Sequence, residues 1–164
     1  MSLVFKEKQK LSGWLLWLVT IILVGVGMLI LYGIYQQIIL GQPFGDKPSS
    51  DLSLIVIASM ILGLLIFFWT LNLKTEINNT EIKIHFFPLT KRVIKWNNVQ
   101  KAQVVDYGFI GGWGLRLSSQ YGTVYNASGT MGLAIELKNG TKLLIGTQKS
   151  DALAQYVQQL EPFS

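Results

Sequence analysis

The chain has 164 residues, half of them apolar, and a net charge of +5 at neutral pH. A water-soluble domain of this length is rarely so poor in charged residues. The absence of cysteine excludes a disulfide framework, a thiolate metal site, a cysteine nucleophile and a lipoprotein anchor.

Residues 1–12 form an N-terminal segment in which Lys6, Lys8 and Lys10 stand against Glu7. No side chain is charged from Leu11 to Gly45, nor from Leu52 to Leu73. Crossing the hydrocarbon core takes about 20 apolar residues. Segments 13–35 and 52–71 are therefore read as two transmembrane helices, joined by an external loop over 36–51. Trp14, Trp17, Tyr32 and Tyr35 flank the first run and Phe67, Phe68 and Trp69 close the second, as interfacial aromatic belts do. Asp51, Ser49 or Ser50 can cap the second helix after Pro48. The first run is too long for a signal-peptide core, and no small-x-small cleavage site follows it.

Lysines set the expected orientation. Three precede the first crossing, and Lys74, Lys83, Lys91 and Arg92 follow the second, whereas the loop holds only Lys47. The positive-inside bias then places both termini in the cytoplasm. Neither crossing carries an ionisable residue, which argues for anchoring and against a transport path. Gly25 and Gly27 on the first helix, with Ser59 and Gly63 on the second, suit close helix packing. That packing is either between the two helices or at a homodimer seam, which makes a homo-oligomer a possible state.

From residue 72 the hydrophobic period changes. Ile82, Ile84 and Phe86 alternate with Glu81, Lys83 and His85, the mark of a half-buried strand. Further strands are expected at 73–77, 92–96, 99–106, 115–118, 123–127, 131–138 and 141–146. Asn139-Gly140 between the last two is read as a type I′ hairpin turn. A short helix opened by Ser150 or Asp151 carries Leu153, Tyr156, Val157 and Leu160 on one face. Such a helix can plug an open barrel end.

The order of these segments carries a resemblance. It rests on Ile94-Lys95-Trp96-Asn97-Asn98-Val99, on Leu144-Ile145-Gly146-Thr147-Gln148-Lys149 before the closing helix, and on Gly111-Gly112-Trp113-Gly114-Leu115-Arg116 with Tyr125-Asn126-Ala127-Ser128-Gly129. With the apolar hairpin in front, the chain resembles bacterial membrane proteins that carry a PH-like domain behind two membrane helices, an uncharacterised subgroup. The resemblance implies an all-β PH-like barrel of about seven strands with a C-terminal α-helix over 72–164. It also implies location in the bacterial inner membrane. It brings no catalytic residues, and such folds host lipid, peptide and protein binding alike.

Two candidate binding regions follow. Tyr107, Phe109, Ile110 and Trp113 lie in a segment with glycines at 108, 111, 112 and 114. Aromatics on so permissive a backbone suit either a loop that docks a partner or the bilayer interface, or a β-bulge folded onto the barrel. Lys91, Arg92, Lys95 and Arg116 are candidates for a basic face toward anionic lipid. After residue 73, basic residues outnumber acidic ones by ten to six, too few and too scattered for nucleic acid. His85 is the single histidine and no G-x-S-x-G elbow frames any serine, so no enzyme, metal or cofactor is expected. The expected function is a non-catalytic membrane protein that presents a binding domain, first to a protein partner and alternatively to anionic membrane lipids or to itself.

Overall fold

The computed structural model describes residues 4–108 and 112–160. They fall into two compact units: Gly13–Thr70, and a β-rich unit formed by the described residues before and after it.

The first unit is a helical hairpin. Helix α1 spans Gly13–Ile34 and runs on through one π-helical turn at Tyr35–Ile39, and α2 spans Asp51–Thr70. Gly13–Ile39 and Asp51–Thr70 are both long and apolar enough to cross a membrane. Few of their residues are buried within the chain, Leu16 and Gly33 in the first and Leu54 and Ile61 in the second, unlike a core helix. Ser50 caps α2, its hydroxyl accepting from the Ser53 amide at 3.3 Å. Trp69 donates from Nε1 to Thr20 Oγ1 at 3.1 Å, and its ring meets Trp17 edge-on. At the other end Gln37 Nε2 donates to Asp51 Oδ1 at 2.6 Å.

The glycines divide. A Cβ on Gly27 would touch Ile61, and one on Gly33 would collide with the Phe44 ring, so both sit at close approaches. Cβ atoms on Gly25 and Gly63 would meet nothing within 4 Å, so the expectation that they pack inside the hairpin is corrected. Ser59 donates its hydroxyl back to the Ile55 carbonyl at 2.9 Å and lines the apolar groove between the helices with Gly27 and Met28.

The second unit contains nine strands among the described residues: β1 Phe5–Lys10, β2 Asn72–Ile77, β3 Glu81–Phe87, β4 Thr90–Lys95, β5 Val99–Asp106, β6 Gly114–Ser118, β7 Gly122–Asn126, β8 Met131–Leu137 and β9 Lys142–Thr147. They make two sheets, β1-β2-β3-β4 and β5-β8-β9-β7-β6. Pairing is antiparallel except between β7 and β9, which attaches the β6–β7 hairpin to the edge of the second sheet. Helix α3, Ser150–Leu160, packs on β5 and β8. The core is built from one face of each sheet: Leu73, Ile77, Ile82, Ile84, Phe86 and Ile94 from the first, and Leu133, Ile135, Leu143 and Ile145 from the second. Leu153, Tyr156 and Val157 of α3 are buried as well.

Strand β1 was not anticipated. Residues 1–12, set apart from the domain on sequence grounds, supply its first strand, in register from Phe5↔Ile77 to Lys10↔Asn72. Its inward positions are Phe5, Glu7 and Gln9, all buried. Glu7 is held there by hydrogen bonds, accepting from Thr147 Oγ1 at 2.6 Å and from the Gln148 amide at 2.8 Å. Gln9 Nε2 donates to the Gly146 carbonyl at 2.7 Å. A buried carboxylate is tolerated when satisfied as Glu7 is, whereas Gln9 is satisfied only through its amide nitrogen, its Oε1 being buried without a partner among the described residues; these bonds tie the first sheet to the end of β9.

The β8–β9 turn lies where expected but is of another kind. A type I′ turn needs positive φ at both central residues, and no described non-glycine residue has positive φ. The Gly140 amide donates to Leu137 O at 2.8 Å, the Leu137 amide donates to Thr141 O at 2.9 Å, and Gly140 alone takes the left-handed conformation, at φ 80°. This is a three-residue loop, a type I turn closed by a glycine bulge.

Candidate functional site

Alternation along β1–β4 sorts the side chains into a buried face and an outer one. Lys6, Lys8 and Lys10 alternate with the buried residues of β1 and are exposed. The register then aligns Lys8↔Lys74, Lys74↔His85 and His85↔Lys91. One row across all four strands thus reads Lys8, Lys74, His85, Lys91. The next row reads Lys6, Glu76, Lys83, Val93, and Lys95 stands opposite Glu81. Seven lysines and a histidine therefore share one face with only two acids, Glu76 and Glu81. Both acids are engaged: Lys6 Nζ is 3.8 Å from Glu76 and Lys83 Nζ is 3.0 Å from Glu81. The central row keeps its positive charge uncompensated by either pair.

His85 reports this environment. Partial burial, then the nearby charges of Lys91 and Lys74, hold its pKa below the ordinary histidine value. Its ring also packs edge-on against Phe87, with centroids 5.8 Å apart. An anion over the row would relieve repulsion among these groups and favour protonated His85.

The basic candidates drawn from sequence are only partly brought together. Lys91 and Lys95 belong to the face. Arg92 pairs with the buried Ile84, so alternation turns it away from its neighbour Lys91. Arg116 lies on β6, in the other sheet, opposite Val124. Its guanidinium is close enough to Gly112 that a Cβ there would meet it at 3.4 Å. The grouping of Arg92 and Arg116 with Lys91 and Lys95 is therefore corrected. Lys6, Lys8, Lys10, Lys74 and Lys83 take their place.

The glycine-aromatic segment begins from a buried anchor. Tyr107 is only 7% exposed and packs with Val124 and Leu144 on the outer face of the second sheet. Cβ atoms on Gly132 and Gly146 would press on its ring and hydroxyl, so these glycines make room for it. The Tyr107 hydroxyl donates to Gly129 O at 3.0 Å and accepts from Asn126 Nδ2 at 3.3 Å. Asn126 Oδ1 in turn accepts from the Gly114 amide at 3.1 Å, so one tyrosine–asparagine pair pins both ends of the segment. Burial raises the Tyr107 pKa. Its assignment as a displayed binding residue is corrected to a packing role. Trp113 is half-buried, and its indole donates to Gly129 O at 3.4 Å. Phe109 and Ile110 lie outside the described residues.

Among the described residues no group of three His, Asp or Glu side chains is placed to hold a metal ion. No known family model matches the sequence, and no curated protein matches it either.

Proposed function

We propose that this is a non-catalytic membrane-anchored protein whose outer β1–β4 face binds the acidic headgroups of the membrane that holds it. The observation that carries this reading is the row Lys8, Lys74, His85 and Lys91, aligned strand by strand by the sheet register. In this reading the hairpin crosses the bacterial inner membrane, both ends of the chain face the cytoplasm, and the two-sheet unit is a PH-like domain. Near an anionic leaflet each basic side chain contributes about 1 kcal/mol of attraction. The three lysines of the row then supply about 3 kcal/mol on that scale. A domain tethered to the bilayer needs no more, because its effective concentration at the surface is already high. Docking of a protein partner on the glycine-aromatic segment loses support, since Tyr107 is buried and Trp113 is the one remaining candidate there among the described residues.

Lysine acylation followed by mass spectrometry tests the reading on the full chain. Modification of Lys8, Lys74 and Lys91 should slow several-fold when phosphatidylcholine nanodiscs are replaced by discs that contain phosphatidylglycerol. Lys101 and Lys142, exposed on the other sheet, should react equally in both. If all five lysines respond alike, the face has no special relation to acidic lipid and the reading fails.

A further inference from the structure

Strand β3 ends at Phe87 and turns into β4 through Pro88 and Leu89, and Phe87 and Leu89 are 43% and 47% exposed. Single exposed apolar residues are commonplace. This pair is set apart by what surrounds it. Phe87 follows the buried Phe86 by strand alternation, so it stands on the lysine face. Its ring meets His85, and its register partner across β2 is Asn72, which in turn faces Lys10. Lys10, Lys74, His85 and Lys91 thus border an apolar tip. Pro88 has no backbone N–H, so the tip has one fewer donor to desolvate on leaving water.

Chain length brings in the bilayer. β1 ends at Lys10 and α1 starts at Gly13, while α2 ends at Thr70 and β2 starts at Asn72. Two or three residue steps reach at most about 11 Å. The strand ends at Lys10 and Asn72, in register with each other and with Phe87, are therefore joined by short links to the ends of the hairpin. A headgroup layer is itself about 5–8 Å thick on each side of the hydrocarbon.

We infer that the Phe87–Leu89 tip inserts into the interfacial layer of an acidic bilayer while Lys10, Lys74, His85 and Lys91 contact the headgroups around it. This rests on the proposed lipid-binding face and adds to it a depth and a point of entry. Apolar side chains ringed by lysines match a surface with anionic charge outside and hydrocarbon beneath. Neither element would serve as well against a purely polar partner.

The natural chain has no cysteine, so single-site labels can be placed cleanly. Leu89→Cys and, as a control on the exposed β8–β9 turn, Lys138→Cys are spin-labelled in the full chain and reconstituted in nanodiscs. In discs that contain phosphatidylglycerol the label at 89 should become several-fold less accessible to a nickel chelate and more accessible to oxygen. The label at 138 should stay open to the chelate. If the label at 89 is as open to the chelate as the label at 138, insertion is overturned. If it is shielded from both oxygen and chelate, the tip packs against protein, and insertion is overturned as well. In either case an acylation pattern that still singles out Lys8, Lys74 and Lys91 would leave the lipid-binding face standing. Loss of that pattern too would remove both.

Discussion

Reversing the charge of Lys8, Lys74 and Lys91 together should abolish the preference for acidic lipid that the proposed headgroup-binding face predicts. The three side chains occupy one register row, and each is exposed, so Lys→Glu leaves the core intact. Every reversal removes about 1 kcal/mol of attraction and adds repulsion of similar size. The combined change is about 6 kcal/mol on that scale, enough to invert any modest preference. The measurement is the ratio of phosphatidylglycerol to phosphatidylcholine retained by the full chain on extraction from mixed membranes into mild detergent, read by native mass spectrometry. A second triple variant, Lys101→Glu with Lys138→Glu and Lys142→Glu, makes the same change in net charge on the other sheet. It should retain the preference. Equal behaviour of the two triples would show that net charge, not the β1–β4 face, governs lipid association.

Gly122→Ala should be the most damaging small substitution in the β-rich unit. Gly122 starts β7 with φ at 65°, a conformation that costs an L-residue about 1–2 kcal/mol. A Cβ there would also overlap the Lys142 carbonyl, at the point where β7 runs alongside β9. Backbone cannot give way as a side-chain tip can, so one of the two strands must shift. The expected loss is about 3 kcal/mol or more, a large share of a typical domain's 5–15 kcal/mol. Gly140→Ala is the reference, because Gly140 has φ at 80° and nothing within 4 Å of its Cβ position. It carries the backbone cost alone. The melting temperature of the full chain in detergent should fall by roughly 10 °C or more for Gly122→Ala and by less than half of that for Gly140→Ala. Equal losses would mean that the parallel β7–β9 junction accommodates a methyl group.

Strand β3 was legible because apolar and polar residues alternate at Ile82, Ile84 and Phe86, whereas β8 and β9, whose apolar residues run together, were located by Asn139-Gly140 between them. The terminal helix was legible from Leu153, Tyr156 and Val157. β1 was not, for a physical reason. Two of its three inward positions are Glu7 and Gln9, so hydrophobic alternation is missing even though burial alternates. Those side chains are stabilised by partners about 140 residues away in sequence, which no local pattern reveals. The trace that was present is the period-two spacing of Lys6, Lys8 and Lys10. Those three lysines are among the seven that form the basic face. Lys91 and Arg92, by contrast, were separable from sequence, since adjacent residues of a strand point to opposite faces. Tyr107 continues the outward parity of Val105, and only the tertiary fold, with Gly132 and Gly146 below it, turns that outward position into a packed one. At Asn139-Gly140 the dipeptide located the hairpin, but Lys138 enters the loop and changes its class.

His85 offers the most direct view of the basic face, because it is the single histidine of the chain and gives one assignable imidazole resonance. Partial burial, and then the nearby charges of Lys91 and Lys74, hold its pKa low. Stability should therefore be full above the ordinary histidine value of about 6.5 and decline as pH falls through it toward the lowered pKa. A surface potential of about −30 mV over the row would raise the pKa by about half a unit. Titration of His85 by NMR in the full chain should give a pKa higher by about that amount in phosphatidylglycerol-containing nanodiscs than in phosphatidylcholine nanodiscs, with the difference shrinking as salt is added. The same pKa in both lipids at low salt would contradict the assignment of this face to the acidic membrane surface.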